Sequence, residues 1–189
     1  MVQTEAPPRP MFANIWDMNK RIIDNHNEVV EKGDLVYELG DMFLKVKPAL
    51  ARETRYQMNG NFYFIYGNHD QVAAEIPDCF VWMKDLIRIK PAGWDTPHIT
   101  LCHYSMRVWH GSHKGVWQLY GHSHGALPED NTCPHCHHTQ YQWLSMDCGV
   151  DPNNFYPVSI ETVIKRMKEK IPLWEAWKSS IKGQRKVGL

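Results

Sequence analysis

The sequence predicts an α/β domain of layered sheets and helices, and three observations carry that expectation. Short apolar runs alternate with helix-periodic stretches along the chain, the pattern of sheets covered by helices. Several of those runs end in a metal-capable residue, most often beside a glycine. In open α/β sheets, ligands gather outside such carboxyl ends. The 189 residues, 43% of them hydrophobic, suffice for one globular domain with its own core.

Taken in order, residues 1–13 are polar and proline-rich, an extended lead-in. Residues 14–31 read as a helix. Ile15, Met18, Ile22, His26 and Val29 recur at three- and four-residue steps, one face of a 3.6-residue period. Gly33 closes it. Residues 34–39 are an apolar strand running into Gly40-Asp41. Residues 46–58 form a weaker helix with Pro48 near its start, where a missing N–H costs nothing. Residues 61–66 are a strand that runs into Gly67-Asn68-His69-Asp70. A further strand lies around Leu86–Ile89, before Pro91. Residues 98–102 form another, followed by His103, and 116–120 another, followed by Gly121-His122-Ser123-His124-Gly125. A loop rich in Pro, His and Cys occupies 126–140. A last strand at 141–147 and a helix at 159–168 follow. The chain thus divides into a lead-in, 1–13, a main domain, 14–170, and a helical, basic tail, 171–189.

Lys+Arg and Asp+Glu both number 21, so the net charge is zero. No global basic field points to nucleic acid, although a local basic groove stays open. The five cysteines are odd in number and suggest no disulfide framework, so a reducing, cytoplasmic setting is expected. No apolar run approaches the ~20 residues of a membrane span, and the first residues do not read as a signal peptide. Eleven histidines, many of them in 98–138, suggest metal, because neutral imidazole is a common transition-metal ligand.

The strand endings place Asp41, Asn68, His103, His122 and His124 where they could converge on one spot. A lone Gly-Asp is ordinarily a turn, and a lone strand-end His is ordinarily structural. Five such residues at successive strand ends are another matter. Carboxylate, amide oxygen and imidazole together suit Mn2+, Zn2+, Fe2+ or Ni2+ rather than Ca2+.

Gly40-Asp41, Gly67-Asn68-His69-Asp70, His103 and Gly121-His122-Ser123-His124, in that order, resemble the signature of the calcineurin-like metallophosphoesterases. The resemblance runs from about Arg9 to about Met167 and is closest to the small bacterial and phage members. Flanking text agrees: Cys102-His103-Tyr104, Asp147-Cys148-Gly149-Val150-Asp151 and Tyr156-Pro157-Val158. It implies a layered β-sandwich flanked by helices and hydrolysis of a phosphate ester, as a phosphodiesterase or phosphatase. In that family two metals ~3.5–4 Å apart activate a bridging hydroxide. Mn2+ is the expected ion. By resemblance Asp41 bridges the metals, Asn68, His103 and His122 complete one site, and His124 belongs to the other. His69 resembles the general acid, with Asp70 orienting it.

One part of the signature is missing. The family opens on an apolar strand ending in Asp-x-His, and residues 1–13 contain no such strand. Asp24-Asn25-His26 is a decoy, since positions i and i+2 of a helix point roughly 200° apart. The gap is open to three readings: a truncated chain, a first metal held by Asp41, His124 and water, or a catalytically impaired scaffold that binds a partner. The neighbouring strand edges should be left unpaired, open to the N-terminal segment or a second copy of the chain.

Cys133 and Cys136 form half of a zinc motif, and His135, His137 and His138 lie beside them, candidates for a separate structural Zn2+ site. The competing reading is an unliganded loop. Cys102 and the tryptophans 109, 117 and 143 read as core. Arg107, His110 and His113 read as a solvated loop.

Overall fold

The computed structural model describes residues 2–3, 9–127 and 144–184. The fold is α/β. A parallel three-stranded sheet orders β2 (Leu35–Glu38), β4 (Asn61–Ile65) and β5 (Trp82–Lys84), with Leu35 opposite Asn61 and Tyr63 opposite Trp82. A four-stranded sheet orders β6 (Leu86–Ile89), β7 (Ile99–Cys102), β8 (Trp117–Tyr120) and β9 (Ser145–Asp147). Here β6 is antiparallel to β7 and the other pairs are parallel. A two-residue ladder joins β1 (Val2–Gln3) to β3 (Phe43–Leu44).

Four helices cover these sheets: α1 (Ile15–Val29), α2 (Pro48–Gln57), the short α3 (Gln71–Ala74) and α4 (Ile160–Gln184). Asn14 caps α1 by accepting from the Asp17 N–H at 2.9 Å, which satisfies one of the orphan donors of the first turn. The inward face of α1 carries Met18, Ile22 and His26 as expected, but also Asn19 and Asn25. Those polar groups are partnered: His26 Nε2 meets the Asn59 carbonyl at 2.8 Å, and Asn25 donates to the carbonyl of Phe155 at 3.1 Å. Val29, expected on this stripe, is 54% exposed because the helix ends there. Asp24 is exposed and paired with Lys20, so it shares nothing with His26.

Two cores result. Side chains alternate across β4: Phe62 and Phe64 enter a cluster with Phe43, Ala51, Ile76 and Phe80. Ile65 enters the second cluster, with Leu39 from the first sheet, Ile99, Leu101, Trp117 and Met146 from the second, and Met167 from α4. All four residues of β7 and all four of β8 are buried, which is the signature of strands covered on both faces. Trp109, Trp117 and Cys102 are core, as read from the sequence.

Two features differ from expectation. The strand β5 was not legible as one. The last helix does not stop at 168 but continues through Pro172 to Gln184. A proline deletes one intrahelical hydrogen bond, and here Trp174 is buried beyond it with Lys178 stacked 4.4 Å from its ring, so packing offsets the loss. The residues between 128 and 143, with Cys133, His135, Cys136, His138 and Trp143, lie outside the described residues, as do 185–189.

Among the described residues, β2 and β9 each pair on one side only. A cavity of about 1070 Å³ lies along β2, lined by Val36, Tyr37, Leu39, Leu101, Leu119 and Cys148 among others. No described helix is long and apolar enough to cross a membrane.

Phe64 is fully buried against Phe80, ring centroids 4.6 Å apart. Phe64→Ala is expected to cost about 3–5 kcal/mol by chemical denaturation. Val29→Ala should change stability by no more than ~0.5 kcal/mol, as for an exposed site.

Candidate metal centre

The carboxyl ends of β2, β4, β7 and β8 meet at one place, and their glycines explain how. Gly40 adopts φ +94°, and a Cβ there would lie 2.6 Å from His103 Nδ1 and 2.7 Å from the Gly67 nitrogen. A Cβ on Gly67 would lie 2.3 Å from Asp41 Oδ1. Only glycine lets the two turns interlock this closely.

Asp41 sits in that interlock at φ 59°. Its Oδ1 accepts from the His69 N–H at 2.8 Å, and its Oδ2 lies 3.3 Å from His103 Nε2. His103 is 1% exposed. Its Nδ1 lies 2.7 Å from the Leu39 carbonyl, which can only accept, so Nδ1 carries hydrogen. In the neutral ring Nε2 is then a bare lone pair. That lone pair faces Asp41 Oδ2, Asn68 Oδ1 at 3.2 Å and His122 Nδ1 at 3.1 Å. Ligand-capable atoms from four strand ends converge, with Asp41, His103 and His122 offering theirs within 4.8 Å of one another. The donor set of two imidazoles, a carboxylate and an amide oxygen fits Mn2+, Zn2+ or Fe2+.

The local field points the same way. Burial would lower the His103 pKa, but the Asp41 carboxylate and the Leu39 carbonyl outweigh it and raise it above its ordinary value. Burial would raise Asp41, but its bonds to His103 and to the His69 N–H hold it below the usual carboxylate range. Two further acids nearby are pushed up. Burial lifts Glu38 to about 7, with Asp70 and Asp41 adding to the shift. Burial also raises Asp70. An excess of buried acid over base favours binding a cation.

Of the residues singled out in the sequence, Asp41, Asn68, His103 and His122 come together. His124 does not join that group. Its Nδ1 lies 2.6 Å from Asp151 Oδ2. His69 is exposed next to the cluster. Asp70 departs from its expected role: its Oδ2 accepts from the Asp41 N–H at 2.7 Å and the Gly67 N–H at 2.6 Å, and Oδ1 has no hydrogen-bond partner. No bond ties it to His69. It fastens the Gly-Asp turn to the Gly-Asn turn instead, a use of carboxylate oxygens for orphan backbone donors.

The sequence reading assigned no role to two buried residues that hold the site. Asp147, at the end of β9, accepts from Ser123 Oγ at 2.7 Å, the Gly125 N–H at 3.0 Å and the Gly149 N–H at 2.8 Å. It thereby fastens the loop in which His122 and His124 take φ 60° and 49°, a conformation that costs roughly 1–3 kcal/mol in a residue other than glycine. Its signal was present: an apolar run ending in Asp shortly before glycine, like the other strand ends. Gln118 on β8, fully buried, donates to the Tyr104 carbonyl at 2.8 Å and accepts from the Met106 N–H at 3.1 Å, which anchors the loop after His103.

No known family profile matches the sequence. An uncharacterized protein of Methanocaldococcus jannaschii, MJ1445, is 28% identical over 164 residues, covering 84% of this chain and 80% of that protein. The crystal structure of a protein of unknown function from Aquifex aeolicus, AQ665, is similar at a TM-score of 0.59. It is 18% identical and the match covers 78% of this chain and 83% of that one. That likeness is one of fold.

Two outcomes follow from the geometry. Asp147→Ala, which leaves Ser123 and two N–H groups unpaired, is expected to cost about 2–4 kcal/mol, read as a fall in Tm. Mn2+ affinity should rise with pH by up to about tenfold per unit while the His103 proton must be displaced, and level off above its raised pKa. Calorimetric titrations across pH 6–9 check the sign.

Proposed function

We propose that this chain is a metal-dependent hydrolase of phosphate esters, a phosphodiesterase or phosphatase on the calcineurin-like plan of two sheets flanked by helices. The supporting observation is the meeting of Asp41, Asn68, His103 and His122 from four strand ends, with ligand atoms of Asp41, His103 and His122 within 4.8 Å of one another. A bound divalent cation, Mn2+ first among the candidates, would supply Lewis acidity at a phosphoryl oxygen and lower the pKa of water.

The chain's own residues supply the rest. Asp41, His103, His122 and Asn68 hold the cation. His69, exposed beside Asp41, is free to reach the leaving oxygen and give it a proton, a general-acid role worth about 10²–10⁴ in rate. Asp70 and Asp147 keep the turns fixed so that no reorganisation is needed during reaction. A scaffold protein on the same fold is the second reading. It draws on the position of His124, which stands outside the donor group and is paired with Asp151.

Hydrolysis of bis(p-nitrophenyl) phosphate with Mn2+ tests the proposal. Wild-type turnover should need the metal and collapse in Asp41→Ala. His69→Ala should lose about 10²-fold or more on an alkyl ester, whose leaving oxygen needs a proton, and less on the nitrophenyl ester. Folded wild-type protein no faster than Asp41→Ala would refute the enzyme and favour the scaffold.

A further inference from the structure

A line of three side chains approaches the site from outside the donor group. Asp151, in the turn after β9, accepts from the Arg9 guanidinium at both oxygens: Nε to Oδ1, and Nη2 to Oδ2 at 2.8 Å. The same Oδ2 lies 2.6 Å from His124 Nδ1. The side chains of Arg9 and Asp151 are 16% and 17% exposed, that of His124 55%. Arg9 is itself confined. Its Nη1 lies 3.2 Å from the sulfur of the fully buried Met18, and its guanidinium carbon 5.6 Å from the Phe155 ring centre.

An ionised carboxylate only accepts hydrogen bonds. His124 Nδ1 must therefore be the donor, which leaves Nε2 with its lone pair in the neutral ring. A bidentate guanidinium fixes the carboxylate plane, so the oxygen that meets His124 is held in place. Carboxylate–histidine pairs of this kind set the tautomer and ring orientation of metal-ligating histidines.

We infer that Asp151, clamped by Arg9, is a positioning residue that presets His124 to ligate a divalent cation through Nε2. The inference rests on the metal-site reading above and extends it to residues 142 positions apart in the chain. Arg9 precedes α1, and Asp151 lies in the turn between β9 and α4. Together they aim a histidine on the loop after β8.

The first test needs neither metal nor variant. Long-range proton–nitrogen NMR on the 15N-labelled, EDTA-treated protein assigns the His124 ring at a pH where it is neutral. The expected proton is on Nδ1. A proton on Nε2 overturns the inference. The second test is Mn2+ binding, followed by the electron-spin signal of the free ion. Asp151→Ala should weaken the His124-dependent uptake by about 10- to 100-fold. Asp151→Asn, whose amide oxygen still accepts from Nδ1, should recover part of it. On a His124→Ala background, Asp151→Ala should add no further loss. An equal loss with and without His124 would mark Asp151 as a merely structural tie and overturn the inference.

Turnover enters neither readout. Absent hydrolysis sinks the proposed activity and leaves this assignment standing, the wrong tautomer sinks this assignment alone, and wild-type protein that takes up no Mn2+ overturns both.

Discussion

The 2.7 Å hydrogen bond between His103 Nδ1 and the carbonyl of Leu39 joins the end of one sheet to the end of the other. His103 follows β7 and Leu39 follows β2, strands that share no ladder. The bond does two things at once. It fixes the separation of the two sheets where their carboxyl ends meet, and it commits the His103 proton to Nδ1. His103 Nε2 is then the atom around which Asp41, Asn68 and His122 are arranged, a lone pair when the ring is neutral. Gly40 and Gly67 are consequences of this constraint, since a side chain on Gly40 would push into the His103 ring and the Gly67 backbone, and one on Gly67 into the Asp41 carboxylate.

Charge follows from the same packing. Drawing the strand ends together buries Asp41 and Asp70, with the half-buried Glu38 close by, around the buried His103. Only Asp41 keeps its charge cheaply, because His103 and the His69 N–H meet it. Burial pushes the other two towards the neutral form, and backbone N–H groups from Asp41 and Gly67 only partly compensate Asp70. A cation beside Asp41 would lessen the mutual repulsion of these acids.

The strand ends were legible because each donor follows an apolar run and most sit beside a glycine, a pattern that survives without knowledge of tertiary contacts. The α/β order of elements came from the same periodicities, and α1, α2, β4, β7 and β8 lie where they predict. What escaped has a common physical cause. The family resemblance implies Asp70 as the partner of its neighbour His69, yet it accepts from backbone N–H groups of Asp41 and Gly67. Arg9 and Asp151 meet across a separation of 142 positions. Gln118 is silent in sequence because a buried glutamine on a strand declares no partner. The helix read over 159–168 runs on through Pro172 to Gln184, with Trp174 buried beyond the proline.

The donor group is built from two internal strand pairs. Asp41 and Asn68 follow β2 and β4, which pair along four residues of one sheet, and His103 and His122 follow β7 and β8, paired neighbours in the other. Each half is set by an internal ladder and not by the edges of β2 and β9, which pair on one side only among the described residues. His124 lies two residues beyond His122 on the loop that Asp147 fastens. Its backbone is in a left-handed conformation, its side chain is exposed, and its ring is steadied by Asp151 rather than by a strand. His122 shares that left-handed backbone and that exposure, so what sets His124 apart is the carboxylate of Asp151 on its ring, itself held by Arg9.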